Sequence, residues 1–180
     1  PTPQDQHNGR VHTVQLLVSL GVDASWRNAK HGWTALHAVA QHGKEEVIRY
    51  LVAECGVPVN IPTNDGRTPL FVAAEKGHDD SVRALHELGG DLSAATEAAN
   101  PLSTAAWNGH LTTVRLLVEL GADVLSSSRT RCSALKASRQ GGHDAVSAFL
   151  EVACKEASER AAARKARIEQ EAAKARAVTE

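Results

Sequence analysis

The sequence predicts an all-α solenoid of helix–turn–helix repeats, followed by a long C-terminal helix. Three observations carry that expectation. Thr68-Pro69-Leu70-Phe71-Val72-Ala73-Ala74-Glu75-Lys76-Gly77-His78 reads as a short helix with both ends specified. A second amphipathic run follows it, with Val82, Leu85 and Leu88 on one face before Gly89-Gly90-Asp91. The pair then recurs along the chain at a countable register.

In the first helix, Thr68 can accept from the free amides of the opening turn, and Pro69 suits the first helical position. Leu70, Ala73 and Ala74 share a face, and Gly77 can take the left-handed conformation that closes the helix. Ahead of it, Gly32 to Ala40 has the same form, with Val47, Ile48 and Leu51 in the partner helix. After it come Asn100-Pro101-Leu102 with Ala105-Ala106, then Val114 and Leu117. Ser133-Ala134-Leu135 follows, then Val146 and Leu150. Asn100 and Ser133 stand where threonine caps the other helices, and both are good caps. At the N-terminus, Val14, Leu17, Val18 and Leu20 form a second helix whose first helix is missing or degenerate. Pro1 to Asn8 are polar and show no clear apolar face.

Gly9, Gly43, Gly77, Gly109 and Gly142 are read as ending the first helices. A leucine lies eight residues after each: Leu17, Leu51, Leu85, Leu117 and Leu150. Length changes fall near the connections: an extra residue before Gly56, another between Gly21 and Leu36, and a missing one between Gly89 and Leu102. The expected units are 1–28 (a half repeat), 29–61, 62–94, 95–126 and 127–154, with 155–180 as a charged, alanine-rich extension.

With 180 residues, 3% aromatic side chains and abundant alanine, the core must be aliphatic and small. The net charge of −1 gives no general attraction to nucleic acid or anionic membrane. No apolar run approaches the roughly 20 residues of a membrane helix. Cys55, Cys132 and Cys154 show no CxxC spacing and fit free thiols in a reducing compartment. The chain lacks methionine and begins at Pro1, so a fragment or processed product is expected. Beyond Lys155, oppositely charged residues sit four apart, as in Glu156–Arg160, Lys165–Glu169 and Arg167–Glu171, which supports a solvated helix. Ile168 is almost the only large apolar residue there. A strong coiled-coil seam is therefore absent, and only weak association through 155–180 is expected.

Catalytic and metal chemistry find little support. His78, His110 and His143 occupy equivalent places in successive repeats, roughly 8–10 Å apart by helix packing. Zinc ligands lie ~2.0–2.1 Å from the ion, so these three cannot share one. They are read as helix-start or surface histidines. No GxSxG, P-loop or GxGxxG pattern occurs. Basic residues are not interleaved with aromatics as in a nucleic-acid surface. No cofactor, metal or catalytic residue is expected.

The motifs quoted above resemble the ankyrin-repeat family over roughly residues 9–154. The resemblance implies a β-hairpin-like turn and two antiparallel helices per repeat, stacked so that each completes its neighbour's core. It also implies that His37 ties hairpin to helix by hydrogen bonding. In repeat four, Glu97-Ala98-Ala99 replaces the usual Asp-x-x-Gly, and a distorted turn is expected there. Function follows from the family as protein–protein interaction through hairpin tips and the exposed face of the first helices. The alternative is a regulatory or targeting segment of a larger enzyme or multidomain protein. The implied partner-binding residues are Trp33, Arg67 and Trp107 as anchors. Around them lie Lys30, His31, Gln41, His42, Asn64, Asp65, Glu75, Lys76, Asn108 and Arg129. The partner is expected to be another protein and the chain monomeric. The expected location is the cytoplasm, with the nucleus left open.

Overall fold

A computed structural model describes residues 3–94, 96, 99–126 and 134–178; side chains are described from Val11 in the first helix and up to Glu171 in the last. Among the described residues there are nine helices and no strand. They are α1 (Pro3–Ser19), α2 (Ala35–Gln41), α3 (Glu45–Ala53), α4 (Pro69–Lys76) and α5 (Asp79–Glu87). Then come α6 (Pro101–Trp107), α7 (Leu111–Glu119), α8 (Ala134–Gln140) and α9 (Asp144–Val178).

The helices pair as α2/α3, α4/α5, α6/α7 and α8/α9. First helices stack as one row, α2 to α4 to α6 to α8. Second helices form the other row, α1 to α3 to α5 to α7 to α9. The core runs between the rows, and Leu36, Leu70, Leu102, Leu51, Leu85, Leu117 and Leu150 are all buried in it. Short helices of this kind are marginal alone, so packing rather than propensity holds them.

The ends are those written in the sequence. Thr68 Oγ1 accepts from Phe71 N at 3.3 Å, and Gly77 closes α4 with φ 74°. Asn100 Oδ1 accepts from Ser103 N at 2.8 Å, while Ser103 Oγ accepts from Asn100 N at 2.9 Å. Ser133 lies outside the described residues.

The N-terminus differs from expectation. Gly9 does not end a helix: α1 runs through it without a break. The polar stretch ahead of Gly9 has no apolar face with which to fold back, so nothing opposes the continuous helix. Leu17 consequently lies 46% exposed, whereas its four register equivalents are buried.

Length changes are absorbed in the connections. The hairpin tip closes from Asn28 N to the Trp33 carbonyl (2.8 Å), then from Thr63 N to Arg67 (2.9 Å), then from Thr96 N to Ala99 (2.9 Å). Each tip is one residue shorter than the one before it, and the helices on either side keep their register. Repeat four's tip is still bonded across its ends, for Ala99 N donates to Thr96 Oγ1 at 3.0 Å. Its Glu97-Ala98 lies outside the described residues. The C-terminal extension is continuous with the last repeat, since α9 contains both. Ala153, Cys154 and Ala157 still touch the core, and beyond Ser158 every side chain described is exposed. Arg160–Glu156, Lys165–Glu169 and Arg167–Glu171 pair along this part as spaced. Glu151, earlier in α9, reaches Arg139 of α8 at 2.7 Å.

Candidate interaction surface

The first-helix row and the hairpin tips form one continuous edge of the stack. The first two tips are laced to each other. Asn64 N donates to the His31 carbonyl at 2.9 Å, Asn64 Nδ2 to the Lys30 carbonyl at 3.3 Å, and Arg27 Nη2 to the Pro62 carbonyl at 2.9 Å. Within the second tip, Thr63 Oγ1 donates to Asp65 and accepts from Arg67 N.

Arg67 is held internally. Its guanidinium meets Asp65 Oδ2 at 2.6 Å and Glu75 Oε2 at 3.4 Å, joining the tip to α4. Arg67 lowers the Asp65 carboxyl below its ordinary value, and Asp65 in turn raises the guanidinium. These groups are partly exposed, so water screens the pair and its net worth is small.

His37 is fully buried. Its Nε2 donates to the Arg67 carbonyl at 3.1 Å. Its Nδ1 accepts from Thr34 N at 3.3 Å and lies 2.9 Å from Thr34 Oγ1. The tie therefore runs from α2 to the hairpin of the next repeat. Burial pushes the imidazole pKa down. Trp33 is half-buried, with its ring 5.6 Å from His37 at 47°.

Trp107, in contrast, is 51% exposed at the end of α6. Asn108 beside it is exposed, with Nδ2 on the Thr104 carbonyl at 3.0 Å. Lys30, His31, His42, Asn64, Asp65 and Lys76 are exposed, and Gln41 and Glu75 are half-buried. Arg129 lies outside the described residues.

The three equivalent histidines are not simple surface residues. His78 Nε2 donates to the Gln41 carbonyl at 2.9 Å, and His110 Nε2 to the Glu75 carbonyl at 3.0 Å. A Cβ on Gly43, Gly77 or Gly109 would stand 2.8, 2.7 or 2.5 Å from the ring of His78, His110 or His143. Each glycine thus opens the left-handed turn and also makes room for the next repeat's imidazole. Reading each repeat alone hides this; the signal was the Gly-His pair recurring one repeat out of phase with its contact. Trp26, 64% exposed ahead of the first tip, was also missed, because no repeat motif includes it.

Among the described residues, no group of three or more His, Cys, Asp or Glu could hold a metal ion, and no helix is long and apolar enough to cross a membrane. Cys154 is partly buried, with Sγ 3.7 Å from the Val124 carbonyl, and burial raises its thiol pKa.

Two rows of short helices, joined by tips and glycine–histidine contacts, define a repeat scaffold that works by surface contact. The chain belongs to the ankyrin-repeat family: the profile for ankyrin repeats (3 copies) matches residues 6–96, and that for a single ankyrin repeat matches 99–129. Ankyrin repeats are protein-interaction modules. The E3 ubiquitin-protein ligase KEG of Arabidopsis thaliana is 36% identical over 80 residues, which is 44% of this chain and 5% of that protein. Protein phosphatase 1 regulatory subunit 12A of Mus musculus is 46% identical over 59 residues, 33% of this chain and 6% of the relative. Nuclear factor NF-kappa-B p105 subunit of Gallus gallus is 33% identical over 78 residues, 43% and 8% respectively. The chain thus matches only a small share of each of these much longer relatives.

Proposed function

We propose that this chain binds another protein through the first-helix row and the hairpin tips, with Trp107 as the main anchor. The observation that carries the reading is the exposure of Trp107. It is a large aromatic ring on the scaffold edge, half open to solvent, beside the exposed Asn108. Tryptophan is enriched among residues that dominate binding energy. Trp33 is a weaker candidate, since its ring already covers His37. Arg67 would have to leave Asp65 and Glu75 to meet a partner, so its role here is to hold the tip that a partner touches.

The interacting unit in this reading is the stack 29–154, in the cytoplasm, with the solvated part of α9 outside it. Affinity capture with the chain followed by Trp107→Ala tests it. The variant should weaken the captured partner by at least ~2 kcal/mol, about thirty-fold, and change the free protein's stability by less than ~1 kcal/mol. Loss of stability with affinity intact would place Trp107 in packing and remove the anchor. A second reading, the regulatory or targeting segment of a larger protein, is favoured by the lengths of the relatives. It needs only that the same edge act within a longer chain.

A further inference from the structure

The near-neutral chain is polarised across its two rows. Residues 28–43, 62–77, 99–109 and 134–142, in the described tips and first helices, carry five lysines and arginines against two carboxylates. Helices α3, α5 and α7, with residues 144–154 of α9, carry three arginines against eight carboxylates. Both of the edge's carboxylates, Asp65 and Glu75, are already met by Arg67. The opposite row keeps Glu46, Asp80, Glu119 and Asp144 exposed. The rows stand about one helix-packing distance apart, roughly 8–10 Å. The Debye length at physiological salt is also about 8 Å, so a molecule docked on the edge senses chiefly the edge's own charge.

We propose that the edge takes an acidic polypeptide segment with an apolar side chain set between carboxylates, which rests on the reading of Trp107 as the anchor. Three helix ends define the complement. Lys76 lies in the last turn of α4, Trp107 ends α6, and Arg139 lies in the last turn of α8. α6 packs against both α4 and α8, so the ring has an exposed cation in the repeat on each side. Lys76 stands 4.0 Å from Glu75, whose other carboxylate oxygen faces Arg67. Arg139 meets Glu151 at 2.7 Å. Both side chains of that pair are more than half exposed, so a partner's carboxylate can replace Glu151 at little cost. Neighbouring first helices are roughly 8–10 Å apart, and an extended chain advances about 3.3 Å per residue. The matching carboxylates therefore fall about three residues to either side of the apolar one. A nucleic-acid strand fits less well. It carries a phosphate about every 3.4 Å, whereas α6, between the two cations, has no charged residue.

The test uses the full chain and two fluorescent synthetic peptides. One has glutamates three residues to either side of a central leucine, in a serine–glycine background; the other has lysines in their place. The glutamate peptide should bind more tightly than the lysine peptide, and raising salt from about 50 to 300 mM should weaken it several-fold. Lys76→Glu with Arg139→Gln should weaken it about fivefold or more, with the circular dichroism spectrum unchanged. Glu46→Lys with Asp80→Lys, on the other row, should leave its binding as before. Trp107→Ala separates charge from anchoring. Loss of binding when the two cations are replaced, but none with Trp107→Ala, upholds the acidic complement and removes the anchor. Loss with Trp107→Ala alone keeps the anchor and overturns the acidic complement. The proposal is also overturned by failure to bind the glutamate peptide, by equal binding of the lysine peptide, or by tighter binding of a single-stranded oligonucleotide through the same two cations.

Discussion

Leu117→Ala and Leu17→Ala remove the same atoms from nearly identical local sequence, so their difference isolates tertiary burial. Leu117 is fully buried between the rows, and Leu17 is nearly half exposed. Truncation deletes three carbon groups. At about 0.8 kcal/mol per buried group, Leu117→Ala loses about 2.4 kcal/mol of transfer energy. The cavity adds about 24 cal/mol per Å³ of residual volume, so a void of roughly 50 Å³ contributes about 1.2 kcal/mol. The expected cost is thus about 3–4 kcal/mol, a large fraction of a small domain's stability. For Leu17→Ala the transfer loss is roughly halved, and a solvent-open site leaves no cavity, so about 1 kcal/mol is expected. Urea denaturation followed by far-UV circular dichroism measures both. A Leu117→Ala cost below ~1 kcal/mol, or equal costs for the pair, would refute the assigned register and the burial argument together.

Other predictions address the joints and the tail. Gly77→Ala should destabilise more than Gly121→Ala: both have positive φ, but only the former sets a Cβ against His110. Thermal denaturation compares them, and equal shifts would deny the histidine a packing role. Below pH 6.5, the ordinary pKa of its imidazole, His37 should make stability fall. Its folded pKa is lowered by burial, so the unfolded chain takes up the proton first. This contribution is fully present above about pH 6.5 and is lost as pH drops toward the folded value. His37→Phe, which installs the residue that Phe71 supplies in the next repeat, should reduce that slope in urea titrations at pH 5 to 7. An unchanged slope would locate the pH dependence elsewhere. Truncation after Ser158 should lower helicity while leaving the denaturation midpoint nearly unchanged, since side chains 159–171 are exposed. A large fall in the midpoint would show the extension bearing on the stack.

The fold was legible because each repeat writes its own punctuation. Thr68, Pro69 and Gly77 bound α4, and leucines at a fixed distance from each glycine mark the buried face. The charge pairs spaced four apart likewise announced the solvated part of α9. What escaped were relations between repeats. Nothing local in Gly77 says that its missing side chain makes room for His110, since that contact spans 33 positions of sequence. Gly9 misled in the opposite way. It carries the right register, but a turn needs a helix on its far side with an apolar face, and Pro1 to Asn8 offer none. Of the candidate surface, exposure at Trp107 followed from its place at a helix end. The internal pairing of Arg67 did not, because it depends on how the tip folds back toward Glu75.

The progressive shortening of the tips has a consequence for how such a surface can be altered. Closure spans Asn28–Trp33, Thr63–Arg67 and Thr96–Ala99 while the glycine–histidine contacts hold the spacing of the helices behind them. Reach and pitch are therefore separate variables in this molecule. Adding or removing a residue at a tip moves that point of the edge outward or inward while the helices behind it keep their spacing. The edge behaves as a comb on a fixed spine, except that its first two teeth are tied by the bonds from Asn64 to His31 and Lys30 and must be refitted together.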